Sequence, residues 1–191
     1  MLRHGRYFIL FVILCASLNG CVGGVWTGAS MVYDRHHVYK KLEDYRLLVS
    51  VTDALMVDNQ FKGPDCAIDV AVFNEDVLIV GHLATEELLN EAKRRLAPIT
   101  GYRRLFNEIT VINTPSNSAK DSWITAKIRS SIFADGAIDP NAFKVVTADR
   151  VVYLMGDVQK DQAEKVIQIA RRISGVERVV KLLKYYTYES K

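Results

Sequence analysis

The feature that most constrains this chain is that it repeats itself. Asp44 and Asp58 bracket a segment with apolar residues at helical spacing, and Asp121 and Asp135 bracket another one 77 positions later. Val77-Leu78-Ile79-Val80-Gly81 matches Val152-Tyr153-Leu154-Met155-Gly156 at an offset of 75, and Gly101-Tyr102-Arg103-Arg104-Leu105 matches Gly175-Val176-Glu177-Arg178-Val179 at an offset of 74. Offsets that drift by a position or two are what small indels leave in a duplicated domain. Whatever the first copy folds into, the second must fold into as well.

Each copy reads in the same order. Residues 45–57 and 122–134 carry Leu47, Val51 and Leu55 or Ile124, Ile128 and Ile132 on one helical stripe, with Asp44 or Asp121 available as N-cap. Ile68, Val70 and Val72 then alternate with smaller or charged residues, Asn74-Glu75-Asp76 makes a turn, and Val77–Val80 returns as a strand that ends at Gly81. A second helix follows over 86–97, with Ala163 to Ile173 as its counterpart. Gly101 or Gly175 is its C-cap candidate, and Leu105–Ile112 or Val179–Leu183 is the last strand.

The order helix, strand, strand, helix, strand predicts an α+β fold. Strands one and two form an antiparallel hairpin, strands two and three lie parallel across a βαβ crossover, and both helices cover one face of a mixed three-stranded sheet. A sheet this small is expected to bury one core, and copies of about 65 to 70 residues are marginal alone, so the two are expected to pack together.

The N-terminus sets the compartment. Arg3 and Arg6 precede an uncharged run, Tyr7–Leu18, the layout of a secretory signal, and a run this short falls below the roughly 20 apolar residues of a permanent span. Leu18-Asn19-Gly20-Cys21 then resembles the lipobox of bacterial lipoproteins. That resemblance implies cleavage before Cys21, a diacylglycerol on its thiol and acylation of the new N-terminus. Val22, where Asp would signal inner-membrane retention, implies outer-membrane sorting. Cys15 fits the motif less well, having Leu14 where a small residue is needed. Cys66 is then left without an intramolecular partner and reads as a small apolar core residue.

These readings divide the chain into a signal peptide (1–20), a lipidated cysteine and tether (21–43), domain one (44–113), a linker (114–120), domain two (121–184) and a C-terminal tail (185–191). The repeat unit, with its glycine before the second helix and the Gly175-Val176-Glu177-Arg178-Val179 turn, resembles the BON domain. The match is strongest at Trp123-Ile124-Thr125-Ala126-Lys127 and Leu154-Met155-Gly156-Asp157-Val158, while copy one departs with Tyr102 in place of Val. Two such domains behind a lipobox resemble the dual-BON outer-membrane lipoproteins. The resemblance implies a non-enzymatic, periplasm-facing protein that binds anionic phospholipid and supports outer-membrane integrity.

Independently of that resemblance, the first helix of copy two has a second patterned face. Trp123, Ala126, Ser130 and Phe133 fall together opposite the core stripe, flanked by Lys127 and Arg129. An apolar strip with an indole and cationic edges suits a bilayer interface, so Trp123, Lys127, Arg129, Ser130 and Phe133 form the candidate phospholipid site. Copy one is an internal control, with Arg46, Val49, Ser50, Thr52, Asp53 and Met56 at the matching positions, and it is expected to bind lipid poorly. Charge divides the same way: residues 44–112 hold 7 basic against 11 acidic side chains, and residues 121–183 hold 10 against 8.

The rival readings have less behind them. No nucleophile and base at catalytic spacing, phosphate loop or cofactor motif is visible. His36-His37 lies in the tether and His82 reads as a solvated loop residue, short of the three or four converging ligands a metal needs. A mature net charge of +1, from 23 basic and 22 acidic residues once Arg3 and Arg6 leave, argues against nucleic acid. The remaining alternative is a protein-interaction adaptor in which the Trp123 and Phe133 patch docks an envelope protein.

Overall fold

The duplicated pattern folds as two copies of one α+β unit. The computed structural model describes residues 35–187, so Cys21, the signal segment and most of the tether lie outside the described residues. The elements are α1 (Arg35–Met56), β1 (Ala67–Phe73), β2 (Asp76–Leu83), α2 (Glu86–Leu96) and β3 (Arg104–Val111), then α3 (Ser118–Ala134), β4 (Phe143–Ala148), β5 (Val151–Val158), α4 (Lys160–Arg172) and β6 (Arg178–Tyr185). In each half the first two strands pair antiparallel and the last two parallel, giving sheets of order β1-β2-β3 and β4-β5-β6. From Val38 onward the described chain forms one compact unit.

Both helices of each half cover one face of its sheet, as expected, but each sheet buries both faces. Val77 and Ile79 point into the core under α1 and α2, and Val152 and Leu154 into the core under α3 and α4. The alternate residues Leu78, Val80, Tyr153 and Met155 meet in a third core between the sheets, joined by Ala71, Val146 and Leu182. Strand period two lets one strand serve two cores, which is why every residue of β2 is buried. The expectation of a single core per sheet counted only the helical face and missed the packing partner on the other.

The matched offsets recur in that third core: Ala71 with Val146, Leu78 with Tyr153 and Val80 with Met155 are equivalent pairs. The polar contacts around it repeat as well. Asn74 Nδ2 donates to Asp157 at 3.1 Å, and the equivalent positions Asp149 and His82 meet at 2.8 Å. The halves therefore face each other as the subunits of an isologous dimer do, through the same patch on each side. Arg103 adds a bridge the second half lacks. Its Nη2 lies 2.7 Å from Asp76 and 2.9 Å from Asp157, while Arg104 also pairs with Asp76. Burial works against the Asp76 carboxylate, but the hydrogen bonds from the two guanidiniums more than offset it and hold its pKa below the usual carboxylate range.

Several sequence expectations need correction. Residues 35–43, read as tether, are helical, and α3 begins at Ser118 inside the predicted linker. Asp44 and Asp121 therefore lie within their helices and are not N-caps; Asn117 caps α3 by accepting from the Lys120 amide. Each aspartate instead holds the hairpin turn of its own half. Asp44 accepts from the amides of Asn74 at 2.9 Å and Glu75 at 2.7 Å, and Asp121 from those of Asp149 at 2.9 Å and Arg150 at 3.0 Å. These four residues have φ of +48, +65, +48 and +64°, the left-handed pair of a two-residue hairpin loop.

Gly101 and Gly175 take φ of +88 and +93° in the turns leading to β3 and β6, past the helix C-caps Ala97 and Ile173. Gly81 does not end its strand; β2 runs on to Leu83, and a Cβ at Gly81 would lie 1.9 Å from the Ala67 carbonyl oxygen. His82 is no loop residue but a β2 side chain 1% exposed. Cys66 is a free, half-buried thiol against the first helical core. Tyr185, assigned to the tail, closes β6.

Candidate functional site

The candidate site sits on α3, and its rigidity comes from the face that does not belong to it. Ile124, Ile128 and Ile132 are fully or almost fully buried against the sheet, Asp121 ties the start of the helix to the β4–β5 turn, and Thr125 donates to Thr147 at 2.8 Å. With one stripe so fixed, the opposite stripe is presented in a single orientation. Trp123 is 49% exposed and Phe133 80%, and Lys127, Arg129 and Ser130 are exposed as well. The five residues singled out in the sequence thus share one solvent-facing surface.

A Phe that exposed is unusual for a side chain whose burial stabilises by about 1.5–3 kcal/mol. The Lys127 ammonium stands 5.7 Å from the Trp123 ring centroid, within cation–π range. Among the described residues neither Arg129 nor Lys127 has an acidic partner, so both charges are available to an external anion. The surface can therefore offer apolar area and uncompensated positive charge together, which is the chemistry of contact with an anionic amphiphile or an acidic partner. Among the described residues no group of three or more His, Cys, Asp or Glu side chains could hold a metal ion, and no helix is long and apolar enough to cross a membrane.

Some polar residues with structural consequences were missed in the sequence. The His82 and Asp149 pair and the Arg103 bridge between the halves carry no local signal, because each partner lies more than 50 residues away. Lys144, on edge strand β4 beside Arg129, was also passed over. The repeat itself contained the signal for it, because the matching position in the first half is Asp69.

On α1 the matching surface has a different chemistry. Leu42, Tyr45 and Val49 are exposed there, but Arg46 stands where Trp123 does and pairs with Glu43 at 2.7 Å, and Asp53 replaces Ser130. The two halves share a fold and differ in what they present.

The BON domain family profile matches residues 120–186, the second half. Outer membrane lipoprotein DolP of Haemophilus influenzae is 30% identical over 174 residues, covering 88% of this chain and 90% of that one. The 21 kDa hemolysin of Actinobacillus pleuropneumoniae is 31% identical over 148 residues, covering 76% and 75% of the two chains. Osmotically-inducible protein Y of Escherichia coli K12 is 26% identical over 148 residues, covering 75% and 73%. Among solved structures, CdsD, a structural protein of the type III secretion system of Chlamydia trachomatis, overlaps 76% of this chain and 65% of that one, at 18% identity and a TM-score of 0.32.

Proposed function

This chain belongs to the family of BON-domain proteins that includes the outer membrane lipoprotein DolP, and from that premise we propose that it is a non-enzymatic lipoprotein of the outer membrane, facing the periplasm. In this reading both halves are BON domains, acyl chains on Cys21 hold the protein to the membrane, and α3 of the second domain binds anionic phospholipid. Its contribution to the cell is support of outer-membrane integrity.

The observation that carries the reading is the exposed face of α3, where Trp123 and Phe133 lie with cations that have no counter-ion among the described residues. An indole rests well at headgroup level, and each cation near an anionic surface contributes about 1 kcal/mol. The two attachments have different roles. Several acyl chains already give firm anchoring, so a lipid-binding helix adds a choice of where on the membrane the tethered protein gathers.

The test uses the mature chain made without its acyl groups, with Cys21→Ser. It should co-sediment with phosphatidylglycerol vesicles and less so as salt rises. Trp123→Ala and Lys127→Glu should each lower the bound fraction severalfold. Binding by these variants equal to the parent's would mean that α3 is not the lipid-binding surface. A parent that ignores lipid altogether would favour the alternative reading, in which the same patch docks an envelope protein.

A further inference from the structure

The outer face of α1 carries apolar side chains that its own chain leaves uncovered. Leu42, Tyr45 and Val49 are exposed there, and Val57, one residue past the end of α1, is 77% exposed. The Val57 amide still bonds the Asp53 carbonyl at 3.1 Å, so Val57 continues the helical turn. At 100° per residue Leu42, Val49 and Val57 fall within about 80° of one another, opposite the buried stripe of Leu47, Val51 and Leu55. Arg46 and Asp53 stand on the same strip, between the three apolar side chains.

The duplication shows that the fold does not require this strip. At the matched offset of 77, Leu42, Val49 and Val57 correspond to Ala119, Ala126 and Ala134, and Tyr45 to Ser122. The second half therefore forms the same helix over the same kind of core with small side chains at all four places. Burial within the domain does not account for larger apolar groups in the first half, and an external partner would.

We propose that the outer face of α1 pairs antiparallel with the same face of a second copy of this chain, about a twofold axis near Val49 and Ser50. The occupant follows from charge complementarity. Antiparallel pairing about that point sets Leu42 opposite Val57 of the second copy and Arg46 opposite its Asp53, and the twofold repeats both contacts. Within one chain Arg46 and Asp53 are seven residues apart and make no bond; Asp53 has no side-chain partner among the described residues, and Arg46 holds only Glu43 in an exposed pair. An anionic bilayer fits this face less well, because Asp53 and Glu43 would face like charge. A single helix pair falls short of the roughly 1,600 Å2 of a standard interface, so the dimer is weak, with a dissociation constant on the order of 100 μM. The pairing makes no use of α3, so it stands or falls separately from lipid binding.

The experiment is sedimentation equilibrium of the unacylated mature chain, Cys21→Ser, from about 10 μM to about 1 mM. The parent should pass from monomer to dimer across that range. Arg46→Glu and Asp53→Arg should each weaken association about tenfold, since each sets like charges opposite one another twice. Mixing the two variants in equal amounts should restore it, because both cross-pairs then become attractive. Lys165→Glu, the same change of charge on the exposed side of α4, should leave the parent's dimer in place.

The substituted side chains are exposed, so the variants should fold, and their unfolding transitions check that they do. A parent that stays monomeric at 1 mM would overturn the proposal. So would a mixture no more associated than its two components, or a dimer that all three variants weaken alike.

Discussion

Asp121 shows how far one carboxylate reaches in this fold. It sits 7% exposed in α3 and accepts both amides of a hairpin turn whose residues, Asp149 and Arg150, hold left-handed backbone. Arg150 takes φ of +64° without being Gly, Asn or Asp, which costs about 1–2 kcal/mol and is sustained by the two bonds to Asp121. Asp121→Ala should lower unfolding free energy by about 2–3 kcal/mol in denaturant titration, and adding Arg150→Gly should recover about 1 kcal/mol of it. No recovery would mean that the turn is not the strained element. Gly81 offers a sharper steric case. With φ of +109° and the Ala67 carbonyl oxygen 1.9 Å from any Cβ, Gly81→Ala should cost at least about 3 kcal/mol, while Gly136→Ala, with nothing within 4 Å, should be close to neutral by the same thermal or denaturant measurement.

At the scale of elements, what the sequence disclosed depended on how local the cause was. The helical stripes of Leu47, Val51 and Leu55 and of Ile124, Ile128 and Ile132 fill the helix-covered cores, and the strand pairing follows the predicted hairpin and crossover. The face of α3 with Trp123 and Phe133 was legible because one helix wheel contains it. Asp44 and Asp121 were visible as repeat markers, yet their role was not, since a carboxylate ahead of an apolar stripe looks the same whether it caps its own helix or reaches a turn about 30 residues on. His82 was misjudged for a similar reason: its partner Asp149 lies 67 residues away in the other half. Residues 35–43 lack an apolar stripe and were passed over as tether, although the chain there is helical. Lys144 needed two elements, α3 and β4, to be set side by side before its nearness to Arg129 had meaning.

For the whole molecule, the sheet-to-sheet core and the ionic bridge around Arg103 join two halves into one compact unit. Asp76, with its pKa below the ordinary carboxylate value of about 3.9, contributes stability that is fully present above that value and is lost as pH falls through the folded-state pKa. Unfolding monitored by Trp123 fluorescence should thus be nearly flat with respect to this group from pH 7 to about 5 and should weaken below about pH 4. Arg103→Met should cost about 2 kcal/mol at pH 7 and reduce that acid-limb slope. An unchanged acid limb would mean that Asp76 keeps its full stabilisation through Arg104 alone. Joined in this way, the halves form one compact body, with the acidic side chains concentrated in the first half and the cationic α3 face in the second. Contact between phospholipid and α3 of the second half can be read by backbone NMR of the unacylated mature chain titrated with phosphatidylglycerol-doped micelles. Shifts should concentrate in residues 123–134, with α1 unmoved. Resonances of α3 that stay in place, or shifts centred on α1, would contradict it.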